Sequence, residues 1–182
     1  MDDAEARTRL LDTAEELFYA RGVQAVGMDE IRTRSGVPLK RLYRVFPAKA
    51  DLVADYLRRR DTRWNRDLRA AVEAADTPAA RLDALFAWLG AWFCEPGFRG
   101  CAFVNAFGEL GHASDPVVAI VREHKARLHD LLADLAADLG HRADLADQLM
   151  LLVEGAIAVA ALHPGPQPAE TAHRAAKTLL KT

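Results

Sequence analysis

Apolar residues recur at helical spacing along the whole chain, glycine and proline interrupt them at intervals, and β-branched runs of period two are absent. These observations predict an all-α protein of about nine helices. A chain of 182 residues can form one compact domain, or a small domain sharing a boundary helix with a larger one.

In the first helix Leu10, Leu11, Ala14, Leu17 and Phe18 form an apolar stripe, with Arg7, Arg9, Glu15 and Glu16 mostly opposite, and Gly22 stops it. A second helix is expected over residues 28–34, with Gly27 as N-cap and Asp29 and Glu30 favoured by the helix dipole. Ser35-Gly36 ends it, and Pro38 suits the start of a third helix over 39–45, which stops before Pro47. A long fourth helix follows over about 49–75. Thr77-Pro78 opens a fifth that ends near Cys94, and a sixth covers 101–110. Ser114-Asp115-Pro116 opens a seventh that runs to Gly140; the eighth covers about 142–163 and the last 169–180.

The segment with chemical content is Met28 to Leu52. Two short helices joined through a glycine-containing turn, packed on the first helix, describe a helix-turn-helix. Phe18, Ile31, Val37, Leu42 and Phe46 can form its miniature core. Once Leu42 and Phe46 anchor the third helix, Leu39, Lys40, Arg41, Tyr43 and Arg44 project outward. Arg and Lys bond guanine edges in the major groove, and Tyr or Lys also serves phosphates. Lys49 stands at the start of the fourth helix, where free N–H groups already favour a phosphate. Net charge is only −2, yet no acid occurs from Ile31 through Ala50, where Arg32, Arg34, Lys40, Arg41, Arg44 and Lys49 fall. Local positive charge on a near-neutral chain fits a confined phosphate-binding face.

Gly36-Val37-Pro38-Leu39-Lys40-Arg41-Leu42-Tyr43-Arg44-Val45-Phe46-Pro47-Ala48-Lys49-Ala50-Asp51-Leu52 resembles the signature of the TetR/AcrR family around its recognition helix. Ala14-Glu15-Glu16-Leu17-Phe18 is similar to that family's first helix, and the helix number and chain length agree. The resemblance spans the chain and is specific over its first part. It implies phosphate contacts from Tyr43 and Lys49, with Lys40, Arg41 and Arg44 on or beside the base-reading face. It also implies a DNA-binding domain at 1–48 and a ligand-binding and dimerisation domain at 49–182. The protein would then be a homodimer on a double-stranded operator, released by a small-molecule effector. Two departures stand out. Gly27 replaces the usual Ser or Thr cap, and Pro38-Leu39 replaces a Ser and a polar residue, so operator preference does not carry over from relatives.

In the C-terminal part, Trp64, Trp88, Trp92, Phe93, Phe103 and Phe107 cluster on the fourth to sixth helices. An aromatic stripe of this kind is either plain core or the lining of a ligand cavity; Asn105, His124 and Glu154 are the polar residues placed near such a cavity. Glu154 lies in an apolar stretch and therefore needs a structural partner, or serves as counter-charge to a cationic ligand. Gly155, Ala156, Val159 and Ala160 give the eighth helix a small-residue face suited to close helix approach, hence to a dimer interface or to the chain's own packing.

Other classes fare poorly. HExxH, a glycine-rich phosphate loop and CxxC are all absent, so no catalytic residue and no cofactor are expected. Cys94, Cys101, His112, His124 and His129 lack zinc spacing. No uninterrupted apolar run of about 18 residues predicts a membrane span, and the acidic start lacks a secretory pattern, so a cytoplasmic location is expected. The reading is thus a ligand-controlled DNA-binding regulator. Its rivals are a regulator without a small ligand, and a helical ligand-binding protein that no longer binds DNA.

Overall fold

The computed structural model describes residues 1–140 and 143–181, and among these it contains nine helices and no strand. They are α1 (Asp3–Arg21), α2 (Met28–Ser35), α3 (Leu39–Val45), α4 (Lys49–Glu73), α5 (Pro78–Phe93), α6 (Ala102–Leu110), α7 (Asp115–Asp138), α8 (Ala143–Leu162) and α9 (Gln167–Leu179). The expected start of the eighth helix at residue 142 lies outside the described residues. α9 begins two residues earlier than its apolar pattern suggests, directly after Pro166, with a proline in its first turn where no N–H is needed.

Two compact units emerge. The first comprises Met1–Asp61 with Ala102–Arg122; the second comprises Thr62–Cys101 with the described residues from Glu123 onwards. Their borders fall inside α4 and α7 and just before α6.

In the first unit, Asp2 caps α1 by accepting the Glu5 amide at 2.8 Å, and Gly22 closes the helix in a positive-φ conformation. Phe18, Ile31, Val37, Leu42 and Phe46 are all buried, as the sequence pattern requires, and Val26, Leu52 and Tyr56 enlarge the cluster. Each such side chain contributes about 1.5–3 kcal/mol when fully buried. The first half of α4 is tied to α1 by ions as well as by packing. Arg59 pairs with Asp12 at 2.7 Å and with Glu15 at 2.9 Å, while Arg60 reaches Glu15 at 3.0 Å and lies 3.9 Å over the Tyr19 ring.

The second unit is built on α5, α8 and α9, which pack against one another. Thr77 Oγ1 accepts the Ala80 amide at 3.2 Å, so the Thr-Pro start predicted for α5 is a true side-chain cap. α9 passes close to α5 at Gly90, where a Cβ would make an ordinary contact, 3.6 Å from that of Ala169. Asp83 on α5 holds Lys177 at 2.9 Å and His173 at 2.7 Å on α9. The hydrogen bond from Lys177, then that from His173, keeps the Asp83 carboxyl below its ordinary range. By length and composition α8 could cross a membrane, with a mean hydropathy of 1.8 over 144–162. The sequence expectation excluded this by requiring an uninterrupted run, whereas this segment contains Asp144, Asp147 and Glu154 and still averages apolar. In the fold α8 packs against α9 and α5 and keeps an exposed apolar face.

Candidate nucleic-acid interface

α2 and α3 meet through Gly36, which takes a left-handed conformation with φ of 67° and returns its N–H to the Arg32 carbonyl at 3.1 Å. A residue with a Cβ is strained there, so the turn angle depends on glycine. Ser35 Oγ accepts the Val37 amide, and Pro38 extends the chain into α3. The outcome is a seven-residue helix divided cleanly in two. Leu42 faces inward with no exposure, and Phe46 at the C-cap is equally buried. Leu39 is 49% and Tyr43 46% exposed, and Lys40 and Arg44 are exposed beside them. Large apolar groups held in water on a short helix are costly unless something covers them.

The charges of this face are not all idle. Asp3, the first residue of α1, is ion-paired to Arg44 and lies 3.8 Å from Arg41. Arg34 pairs with Glu16 at 2.6 Å, and Arg21 with Glu30 at 2.5 Å. Among the described residues Lys40 has no ion pair. The stretch that is free of acid in sequence is therefore partly neutralised through space. Asp3→Asn is expected to release Arg44 and Arg41 and to strengthen DNA binding roughly two- to fivefold, the worth of an exposed ion pair. Fluorescence anisotropy at two salt concentrations checks this, with the larger gain expected at the lower.

Lys49 is only half-exposed. Its Nζ donates to the Val23 carbonyl at 2.6 Å and lies 5.8 Å from the Phe18 ring centroid. Burial lowers the Lys49 pKa, and the charge of Glu109 opposes that shift. One of its three N–H groups is thus committed to the loop between α1 and α2, and a phosphate would have to share the ammonium with that carbonyl.

Glu109, near the end of α6, had no place in the sequence reading. Its Oε1 accepts the Val23 amide at 3.1 Å and its Oε2 the Gln24 amide at 2.7 Å. Gln24 Nε2 donates in turn to the Glu109 carbonyl at 2.5 Å. The one available sequence signal was negative: a carboxylate in the last turn of a helix opposes the dipole, so it needs donors from elsewhere.

The remaining candidates separate by unit. Trp64, Trp88, Trp92 and His124 come together in the second unit, with Trp64 edge-on to Trp88 at 5.4 Å, to Trp92 at 5.7 Å and to His124 at 5.1 Å. The Trp64 indole N–H is buried with no hydrogen-bond partner among the described residues. Phe103, Asn105 and Phe107 belong to the first unit; Phe103 is buried, while Asn105 and Phe107 are exposed. Glu154 has a counter-charge within the chain, because Lys125 Nζ stands 2.6 Å from its Oε1 and also 3.4 Å from Cys101 Sγ. Gly155, Ala156 and Val159 line a groove of 520 Å³ between α8 and α9, whereas Ala160 is turned fully inward. Leu151, Gly155, Val159 and Leu162 form an outward stripe on α8, and Leu151 and Leu162 are 74% and 77% exposed.

Comparison with known proteins agrees with this geometry. Residues 10–56 match the family model described as bacterial regulatory proteins, tetR family. An uncharacterized HTH-type transcriptional regulator of Mycobacterium tuberculosis is 30% identical, the match covering 89% of this chain and 93% of that protein. An HTH-type transcriptional activator of Mycolicibacterium smegmatis is 43% identical over 84 residues, 38% of each chain. The crystal structure of a TetR-family transcriptional regulator from Streptomyces coelicolor superposes with a TM-score of 0.87 at 33% identity, covering 98% of this chain and 95% of its own. With its helix-turn-helix, its outward α3 face and these relatives, the chain belongs to the TetR family of DNA-binding transcriptional regulators.

Proposed function

We propose that the chain is a cytoplasmic homodimeric repressor. It holds a pseudo-palindromic operator through α3 and leaves it when a small apolar or amphipathic ligand binds among Trp64, Trp88, Trp92 and His124. The observation that carries the proposal is the division of α3: Leu42 and the following Phe46 are locked in the core, while Leu39, Lys40, Tyr43 and Arg44 stand in water. A short helix so presented fits the major groove, and its basic and phenolic groups match base edges and phosphates. Dimerisation is supported by the uncovered α8 stripe and the groove beside it, which two copies related by a two-fold axis would cover together. Two α3 helices would then lie roughly 34 Å apart, one turn of DNA. The ligand is supported by the buried, unpartnered indole N–H of Trp64, a donor that an acceptor on a bound molecule would satisfy. To act, that ligand must favour the DNA-free conformation by about 1–3 kcal/mol.

Side-chain roles on α3 divide accordingly. Tyr43→Phe is expected to weaken all DNA sequences alike, as loss of a phosphate contact does. Arg41→Ala is expected to relax preference at particular base pairs, by about 1–3 kcal/mol for a bidentate contact. Binding measured on an operator and on its single-base variants separates the two patterns.

The test of the whole proposal is selection of duplexes from a random pool by the purified protein, followed by a promoter fusion carrying the selected site. An inverted repeat with half-sites one turn apart, two chains per duplex and reduced transcription is the expected result. A solitary half-site bound by one chain would contradict the dimer, and raised transcription would contradict repression. Displacement of an apolar fluorescent dye by candidate ligands tests the last part. A protein that takes up no dye, and whose Trp fluorescence responds to none of them, is a regulator without a small effector.

A further inference from the structure

The loop between α1 and α2 is gripped on both sides. Glu109 takes the amides of two consecutive residues, Val23 and Gln24, with its two carboxylate oxygens, and Lys49 takes the Val23 carbonyl from the start of α4. Successive N–H groups aimed at one anion form a nest, and a bidentate carboxylate fixes both the position and the rotation of the backbone it holds. Gly22 is fitted to this arrangement twice over. Its φ of 89° is disfavoured for any residue with a side chain, and a Cβ there would lie 2.9 Å from Glu109 Oε1 and 3.0 Å from Oε2, close enough to push the carboxylate aside. Gln24 completes the grip by reaching back to the Glu109 carbonyl.

All of these atoms lie in the first unit, which joins α6 to the helix-turn-helix. The held loop is also where α2 departs from α1, and α2 carries α3 through the tight turn at Gly36. Rotation of the loop would therefore re-aim the face that bears Lys40, Tyr43 and Arg44.

We propose that Glu109 is a positioning residue for DNA binding, a clamp from α6 that sets the pose of α2 and α3 without touching DNA. The inference rests on the DNA-binding reading of α3. It adds that α6 is the element whose hold on the loop decides whether that face is presented for binding.

The test uses the full-length protein and a duplex enriched from a random pool by the unaltered chain. Glu109→Ala is expected to lower affinity tenfold or more. Glu109→Gln, which keeps one acceptor oxygen and loses the charge, is expected to fall between Ala and the unaltered chain. In both, the amides of Val23 and Gln24 should exchange with solvent faster while those of α3 stay protected. The salt dependence of binding should not change, because no phosphate contact is lost. Gly22→Ala, which drives the carboxylate off by a different route, should reproduce the same affinity loss. Because that variant also strains the backbone, its melting temperature is read alongside. Unchanged or higher affinity in Glu109→Ala with exposed Val23 and Gln24 amides would overturn the clamp. So would a loss of affinity accounted for by unfolding of α3 itself. Failure of the unaltered chain to enrich any duplex would instead remove the DNA-binding reading, and the clamp with it.

Discussion

Leu42→Ala is expected to destabilise the first unit by about 2–5 kcal/mol and to abolish sequence-selective DNA binding. Leu42 is wholly buried on a helix of only seven residues, so little else holds α3 in place. Its inward neighbours Phe18, Ile31, Val37 and Phe46 cannot collapse into the space without moving α1, α2 and the Gly36 turn together. A marginal protein has only about 5–15 kcal/mol of stability, so the loss is large in proportion. Chemical denaturation followed by circular dichroism measures it. Normal stability with normal operator binding would show that α3 is held by something other than this core.

Leu151→Glu combined with Leu162→Glu is expected to convert the proposed dimer to monomer and to weaken operator binding by two orders of magnitude or more. Each leucine is mostly exposed in the single chain and sits on the outward stripe of α8. Covering a leucine contributes about 1.5–3 kcal/mol, and across a two-fold axis each substitution acts twice. Placing four carboxylates in that interface adds a desolvation cost unless they are neutralised. Because both positions are exposed, the folded monomer should survive, with an unchanged circular dichroism spectrum. Sedimentation velocity reads the outcome, and a double variant that still sediments as a dimer would move the interface away from α8.

Much of the architecture was legible because its determinants are local. Gly22 and Gly36 end helices through positive φ, Thr77-Pro78 opens α5 with a true cap, and the alternation of Leu42 and Phe46 with Lys40, Tyr43 and Arg44 gave both faces of α3. What could not be read depends on residues brought together from far along the chain. Asp3 neutralises Arg44 across 41 positions, and Glu109 clamps Val23 across 86. Glu154 could be recognised as needing a partner because of its apolar surroundings, yet nothing local named Lys125 on α7. Ala160 was grouped by size with Gly155, Ala156 and Val159, on a face suited either to a dimer interface or to the chain's own packing. Burial places Ala160 inside, and the larger Leu151 and Leu162 stand outside. The aromatic candidates divided for the same reason: spacing along a helix gives its apolar face, while the choice of packing partner is made by tertiary contacts.

The central claim is that the outward face of α3 reads DNA, and fluorescence anisotropy over a salt series tests it most directly. The selected duplex is compared with a scrambled one, and the unaltered chain with a variant carrying Lys40→Ala and Arg44→Ala. The account predicts tight, salt-sensitive binding that prefers the selected duplex, and a variant with weaker binding, a shallower salt slope and lost preference. Absence of binding even at low salt, or a variant indistinguishable from the unaltered chain, would contradict it.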